Sequence, residues 1–472
     1  MRLHALLARV GLPLPEQDVE LKGISYDTRT MEPGELFVAL HGYKTDGHKY
    51  IAQARQKGAA AIVAEEGEGA DVVLVPDARA ALAGLSAEWF GKPAHGLTVV
   101  GVTGTNGKTT TTTLLWQILT ETLGTPVGLL GTNEIRVGES AFPAERTTPE
   151  SYEVQQWFRR MADAGCTHVV MEVSSHALCL HRVDTLTFDV GAFTNLTQDH
   201  LDFHGTMDAY KNAKKRLFLQ SKLAVLNLDD PVGREYDSCC PCPALTYSAL
   251  GGAHLNARDV ALHAAGVAFD AVIEGERVPV TLSIPGAFSV SNALCALGCA
   301  YGLGVSLADA AAVLAHAAGP RGRMEVVSHS GQGTVIIDYA HTPDALEKAL
   351  TALRPHTKGR LICLFGCGGD RDTTKRSLMG AVAAKLSDLC IVTSDNPRSE
   401  TPVAIIGDIL RGVAGWPTDV IVEPDRRAAI RRGMELLGEG DTLLLAGKGH
   451  ETYQEINGVK YPLDEREEVV DR

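Results

Sequence analysis

Long apolar runs are missing from this chain of 472 residues. None approaches the roughly 18 residues that a bilayer-crossing helix requires, so no helical membrane span is expected. A basic excess is missing too. With 44 Lys and Arg against 58 Asp and Glu, the formal net charge is −14, which argues against a nucleic-acid partner, because such a partner calls for a basic face. The ten cysteines form no disulfide framework. Cys166, Cys179, Cys295, Cys299, Cys363, Cys367 and Cys390 are scattered, mostly through apolar stretches. Cys239, Cys240 and Cys242 are crowded, but no second ligand pair follows at zinc spacing. Reduced structural thiols in a cytoplasmic protein are the expectation. There is no internal repeat and no low-complexity tract. At the start, Arg9 interrupts the apolar stretch Leu3 to Ala8, so an amphipathic first helix is expected rather than a secretory leader.

What is there suits a globular protein of about three domains. Strand signals at Leu36 to Leu40, Ala60 to Ala64 and Val72 to Val75 precede a turn-rich stretch, Gly91 to Gly96. From Leu97 the pattern becomes parallel α/β. Apolar runs at Leu97 to Val100, His168 to Val173, Val190 to Phe193 and Leu223 to Leu226 each end in a chemically rich loop. Continuous apolar strands imply a doubly wound sheet with both faces covered, and ligands of such sheets sit at the carboxyl ends of the strands. A second junction, Gly319 to Gly322, leads to another alternating unit with strands near Val335, Leu361, Leu389 and Thr442. We read an α/β fold of three domains: 1–96, 97–320 and 321–472. The central one carries a doubly wound, mostly parallel sheet; a smaller N-terminal α/β domain and a Rossmann-like C-terminal domain flank it.

The most informative segment is Gly101 to Thr110, a glycine-rich turn ending in Lys108-Thr109 directly behind an apolar strand. Glycines let backbone N–H groups approach phosphate oxygens, the lysine adds a point charge, and the first hydroxyl can ligate Mg2+. An acidic protein that binds a nucleotide must concentrate basic groups in this way. The generic P-loop places Gly where this chain has Val102, so the loop is a variant of the form T-G-T-N-G-K-T. The next strand ends at Glu172, where a Mg2+ ligand is wanted, followed by Ser174-Ser175-His176. Another ends in Thr194-Asn195 and leads to Asp199-His200-Leu-Asp202-Phe-His204, a group suited to metal or phosphate work unless it is a satisfied loop network. Tyr210 to Phe218 reads as a basic amphipathic helical turn, with a solvated charged face as the simpler reading. In the last unit, Asp338 to Pro343, Gly366 to Asp372, Asp395-Asn396-Pro397-Arg398 and Gly447-Lys448-Gly449-His450-Glu451 each follow an apolar strand. Arg371 and Arg398 could grip carboxylates bidentately and Glu451 could hold an ammonium group, a set that suits a zwitterionic amino acid.

In these motifs the chain resembles the Mur ligase family. The ordered set T-G-T-N-G-K-T, E-V-S-S-H-A-L, D-H-L-D-x-H-G, Y-x-x-A-K, G-R-M-E, D-Y-A-H-T-P and G-K-G-H-E-x-Y-Q spans essentially all of it. The resemblance is to the branch that adds the third residue of the peptidoglycan stem. It implies an ATP-dependent ligase that activates a carboxylate as an acyl phosphate, which an amine then attacks. It implies that Gly104, Thr105, Asn106, Gly107, Lys108, Thr109 and Thr110 hold the ATP phosphates, with Asn292, Arg323 and Asp338 as further ATP contacts. Thr109 and Glu172 would hold one Mg2+; His200 and Lys214 would serve a second, Lys214 as a carbamate, with Lys215 as the competing assignment. Lys108, His200 and Lys214 are thus the implied catalytic residues. Thr28, Tyr43 and Lys44 would meet the uridine diphosphate end of UDP-N-acetylmuramoyl-L-Ala-D-Glu, and Thr147, Thr148, Ser174 and Arg182 its muramoyl-peptide. Two positions depart from the family pattern: Ser289, where Asn is usual, and Leu180, where Gln is usual.

For the incoming amino acid, the resemblance assigns Arg371, Asp395, Asn396, Pro397, Arg398, Gly447 and Glu451, with the Asp-Asn-Pro-Arg form pointing to meso-diaminopimelate. The chemistry agrees, because the distal end of diaminopimelate is itself an amino acid. Against lysine, Arg398 would be a charge without a carboxylate partner. A lysine- or ornithine-adding relative, and a non-catalytic module built on the same fold, are the competing readings. The expected partners are small molecules (the UDP-sugar dipeptide, meso-diaminopimelate and ATP), and a monomer is expected.

Overall fold

The computed structural model describes residues 1–42, 45–330 and 333–470. Tyr43 and Lys44 therefore lie outside the described residues. The chain divides into two compact units: Met1–Thr246 with Gly298–Gly304, and Tyr247–Leu297 with Val305–Arg472.

In the first unit the opening helix Leu3–Arg9 buries Leu3, Leu6 and Leu7, the apolar side expected of an amphipathic helix. These leucines join Leu36, Val38, Val63, Leu82 and Leu85 in one core under a four-stranded parallel sheet, Gly23–Ser25, Glu35–Val38, Ala61–Ala64 and Val72–Leu74. The helix Ala78–Trp89 starts at Asp77, whose carboxylate accepts from the backbone N–H groups of Arg79 and Ala80.

The second sheet of this unit is the one that positions the site. Strand Thr98–Thr103 lies in its middle, with Phe188–Phe193 and then Ser221–Asn227 on one side and His168–Glu172 and then Val127–Leu130 on the other, all parallel. Thr98–Thr103 is buried along nearly its whole length, as its unbroken apolar run requires. Chain order reverses on either side of this strand, which makes its carboxyl end a topological switch point. Two further strands, Glu134–Val137 and Ser140–Pro143, extend the Val127–Leu130 edge antiparallel. Apolar runs alone do not reveal these edge strands, because they are short and only partly buried.

The second unit contains three antiparallel strands, Leu255–His263, Gly266–Ile273 and Glu276–Leu282. Here the sequence signal is alternation rather than a run: every second residue from Val267 to Ile273 is buried. The unit also holds a six-stranded sheet in the order Glu325–Ser330, Gly333–Asp338, Thr442–Ala446, Leu361–Phe365, Leu389–Val392, Asp419–Val422, with only the first pair antiparallel. Its core is Val335, Ile337, Ile362, Leu364, Ile391, Leu443 and Leu445, packed under Ala429 and Ile430.

Candidate active site

Strand Thr98–Thr103 delivers the chain into the glycine loop, and helix Lys108–Leu123 receives it. The end of the neighbouring strand fastens the loop. Thr194 Oγ1 donates to Asn106 O at 2.6 Å, Asn106 N donates to Asn195 Oδ1 at 3.0 Å, and Thr105 N donates to Asn195 O at 2.8 Å. A side chain on Gly104 would collide with Thr194 Oγ1, and Gly107 enters the helix at φ 84°, a conformation open to glycine. The Lys108 ammonium donates to the carbonyls of Gly104 and Thr105, both at 2.9 Å. Thr110 is buried in the first turn.

Glu172, 1% exposed, closes the next strand. It accepts from Thr109 Oγ1 at 3.1 Å, Thr132 N at 2.7 Å and Thr132 Oγ1 at 3.1 Å, and Thr132 Oγ1 also reaches Thr147 Oγ1 at 3.1 Å. Two hydroxyls and a carboxylate so gathered are the hard oxygen set that Mg2+ prefers, so the residues present fit the ion.

Lys214 is 1% exposed, donates to Gly104 O at 2.8 Å and lies 4.5 Å from the centroid of the Tyr210 ring. Burial, reinforced by the nearby Lys108 charge and opposed by Asp199, holds its pKa well below the usual lysine range. Lys215, next along the chain, is only partly buried. His200 adopts φ 52°, sets its Nδ1 3.5 Å from Asp199 Oδ1, and packs edge-on to His176 and Tyr210 at 4.9 and 6.1 Å. The structure thus brings His200 and Lys214 to the same tyrosine. The Lys214 amine nitrogen donates to Gly104 O and offers none of the oxygen ligands that Mg2+ prefers, so Lys214 in unmodified form does not fit a second such cation.

Thr148 Oγ1 donates to Glu172 O at 2.8 Å and accepts from Ser174 N at 3.0 Å, tying two segments assigned to the muramoyl-peptide together. Arg182 donates to Glu150 and, at 3.0 Å, to Thr148 O; burial draws its pKa down and Glu150 opposes the shift. Glu150 also receives Arg79 at 3.2 Å and Arg146 at 3.5 Å. Thr28 is buried in the N-terminal sheet region, its hydroxyl on Gln53 Oε1 at 3.0 Å. Leu180 ends the short helix Ser175–Cys179, and nothing in the structure explains its departure from the family pattern.

The remaining candidates belong to the second unit. Asn292 is buried in helix Ala287–Gly302. Ser289 is buried there too, its hydroxyl donating to Pro285 O at 2.9 Å, which gives this departure a local structural role. Asp338 accepts from the backbone N–H groups of Met324 and Ala340 at 2.7 and 2.9 Å. Burial raises its pKa, and Arg323 opposes. Arg323 lies 5.1 Å from the Tyr339 ring centroid, with its buried Nε unpaired.

Three loops converge around Asn396. Its Nδ2 donates to Glu451 Oε2 at 2.8 Å, its Oδ1 accepts from Lys448 Nζ at 3.1 Å and Glu455 N at 2.9 Å, and its carbonyl accepts from Gly369 N at 2.9 Å. Lys448, fully buried, also meets Glu451 Oε2 at 3.2 Å and Asp395 Oδ1 at 3.7 Å. Pro397 is buried, and Gly447 N donates to Asp338 O at 3.0 Å. Arg398 donates to Gly369 O at 2.8 Å and pairs with Glu455 at 3.3 Å. Arg371 stands exposed beside Gly368. Sequence reasoning overlooked Lys448, although the Gly-Lys-Gly-His-Glu motif displays it. It overlooked Thr132, Glu150 and Glu455 as well, for which the sequence offers no signal.

A variant P-loop at the switch point of a doubly wound sheet, with a buried carboxylate on the first helical hydroxyl, defines a nucleotide-dependent α/β enzyme. Family models agree along the chain: "Mur ligase family, catalytic domain" at residues 20–89, "Mur ligase middle domain" at 102–300 and "Mur ligase, glutamate ligase domain" at 322–449. The chain belongs to the Mur ligase family. It is 44% identical to the UDP-N-acetylmuramoyl-L-alanyl-D-glutamate--2,6-diaminopimelate ligase of Caldanaerobacter subterraneus subsp. tengcongensis, over 99% of this chain and 98% of that one. The protein of the same name from Gloeobacter violaceus is 45% identical over 99% and 97%. A solved structure of such a ligase matches with a TM-score of 0.74 and 32% identity, covering 99% of this chain and 98% of the other.

Proposed function

We infer that this chain is an ATP-dependent ligase that adds 2,6-diaminopimelate, in the meso form, to UDP-N-acetylmuramoyl-L-alanyl-D-glutamate in peptidoglycan precursor synthesis. The glutamate side-chain carboxylate attacks the γ-phosphorus of ATP and ADP leaves. The amine of diaminopimelate then attacks the acyl phosphate, loses a proton, and inorganic phosphate departs. The observation that carries the choice of amino acid is the meeting of three loops: Asn396 and Arg398 on one reach Glu451 on a second and Gly369 on a third, respectively. Arg398 would take the distal carboxylate, Arg371 the proximal one, and Glu451 the ammonium group, while Asn396 and Lys448 fix the Glu451 carboxylate. Asp395, Pro397 and Gly447 shape the same loops.

Lys108 and the backbone of Gly104 to Thr110 would hold the phosphates, and Asn292, Arg323 and Asp338 the rest of ATP. Thr109 and Glu172 would hold Mg2+, which supplies charge neutralisation during phosphoryl transfer. Thr28, Tyr43, Lys44, Thr147, Thr148, Ser174 and Arg182 would meet the UDP-sugar dipeptide. The depressed pKa of Lys214 favours the neutral amine that reacts with carbon dioxide, which supports its carbamylation over that of Lys215; a carbamate would supply an anionic oxygen beside His200. A carbamate carbon signal from 13C-bicarbonate, absent in Lys214→Ala, is expected, and its persistence in that variant would refute the assignment. Residues 1–96, 97–320 and 321–472 would be the UDP-, ATP- and amino-acid-binding domains. Ten free thiols and nucleotide substrates support a cytoplasmic location, and we take the protein to be a monomer.

The test of the whole reading is phosphate release from ATP and Mg2+ with the UDP-dipeptide, comparing diaminopimelate, lysine and ornithine. Release is expected with diaminopimelate. Release with lysine alone would overturn the specificity, and release with none would overturn the enzymatic reading.

A further inference from the structure

Arg426 opens the helix Arg426–Leu436 with its side chain wholly buried, as is that of Glu465, on the last helix Glu465–Val470. Its guanidinium reaches three separate segments. Nε donates to Glu465 Oε1 at 2.7 Å, Nη1 to Ser394 O at 3.2 Å and Nη2 to Ala446 O at 2.9 Å. Ser394 immediately precedes Asp395-Asn396-Pro397-Arg398, and Ala446 immediately precedes Gly447 to Glu451. The strands feeding these two loops, Leu389–Val392 and Thr442–Ala446, are not neighbours: Leu361–Phe365 lies between them. No ladder hydrogen bond therefore sets the spacing of the two loops directly. Packing alone does not call for this ion pair either, since hydrophobic residues of similar volume commonly replace a buried pair without loss of stability.

We propose that Arg426 is a positioning residue for the amino-acid site. By bonding the carbonyls of Ser394 and Ala446 together, it fixes the separation at the bases of the Asp395–Arg398 and Gly447–Glu451 loops, so that the Asn396–Glu451 and Lys448–Asn396 bonds between the loops form in register. Glu465 holds the guanidinium in place and so makes the C-terminal helix part of the site's support. The proposal rests on the reading of those loops as the diaminopimelate site.

The test compares kcat/KM and KM for diaminopimelate, ATP and the UDP-dipeptide in Arg426→Lys, in the double variant Arg426→Met/Glu465→Met, and in Arg398→Ala. The double variant should keep cooperative unfolding and a KM for ATP within about twofold, and should raise KM for diaminopimelate about tenfold, the effect of losing two carbonyl hydrogen bonds. Arg426→Lys keeps the charge pair but cannot span both carbonyls, so a smaller rise confined to diaminopimelate is expected. An unchanged diaminopimelate KM in the folded double variant overturns the proposal. So does a rise shared by all three substrates with a falling melting temperature in Arg426→Lys. If the double variant does not fold, Arg426→Lys decides: wild-type values refute, and a rise in diaminopimelate KM alone supports. Impairment in Arg398→Ala with normal Arg426 variants removes only the positioning role, whereas an unchanged Arg398→Ala removes the site reading beneath it.

Discussion

Arg398 meets Glu455 at 3.3 Å, and this tempers the argument from charge alone. Lysine, lacking the distal carboxylate, would not leave Arg398 wholly unpaired; it would forgo the new pair that diaminopimelate makes. Arg398→Ala should therefore lower kcat/KM for diaminopimelate by about a hundredfold, with KM for ATP within about twofold, because one partner of a charge-assisted pair is removed. Unchanged diaminopimelate kinetics would refute this role. His450 offers a pH test at the same scale. Its buried Nδ1 has no partner, and burial, with Arg323 adding repulsion, holds its pKa below the usual 6.5. The unfolded chain therefore takes up the proton first as pH falls. The associated stability is present above about pH 6.5 and is lost as pH drops through that value toward the lower folded pKa. His450→Gln should accordingly lose less stability than the native chain between about pH 7.5 and pH 5, measured by urea midpoints. Parallel midpoint curves for the two proteins would rule out His450 as the source.

Among the elements, the strand end Thr194-Asn195 is what makes the glycine loop a defined cradle. Asn195 Oδ1 accepts from Asn106 N, and Asn195 Nδ2 donates to Asn106 O at 3.1 Å. Asn195→Ala should raise KM for ATP roughly tenfold, with little change for diaminopimelate, since it removes two loop contacts. Steady-state kinetics with each substrate varied would check this, and an equal rise for both would point to general unfolding. The loop itself was legible in the sequence because its Gly, Lys and Thr act through local spacing. Its fastening was not, because Asn195 comes within reach only through the parallel pairing of Phe188–Phe193 with Thr98–Thr103. The same reason hid Thr132, which closes on Glu172 from the turn after Val127–Leu130, a strand two places away from Thr98–Thr103. The hairpins at 134–143 and 453–462 leave little trace in the sequence, because their four-residue strands are mostly not buried and so carry little apolar signal.

On the scale of the molecule, the six-stranded sheet draws all its strands from 325–446 and its core cluster from within the same C-terminal stretch. Residues 321–472 expressed alone should therefore unfold cooperatively in thermal circular dichroism, and a broad, non-cooperative melt would refute a domain boundary at 321. What the sequence by itself determined is the chemistry. A glycine-rich loop with Lys108 and Thr109, and Glu172 at a strand end, are short-range patterns that already point to a nucleotide, and the arginine and glutamate side chains of the Asp-Asn-Pro-Arg and Gly-Lys-Gly-His-Glu motifs suit an amino acid. What only the tertiary structure decided is partnership. It buried Lys214 rather than Lys215, matched Arg398 with Glu455, and placed Arg426 beneath two loops whose strands do not touch. These pairings depend on which strands lie side by side, and strand order follows from the packing of whole elements rather than from the residues next to each motif.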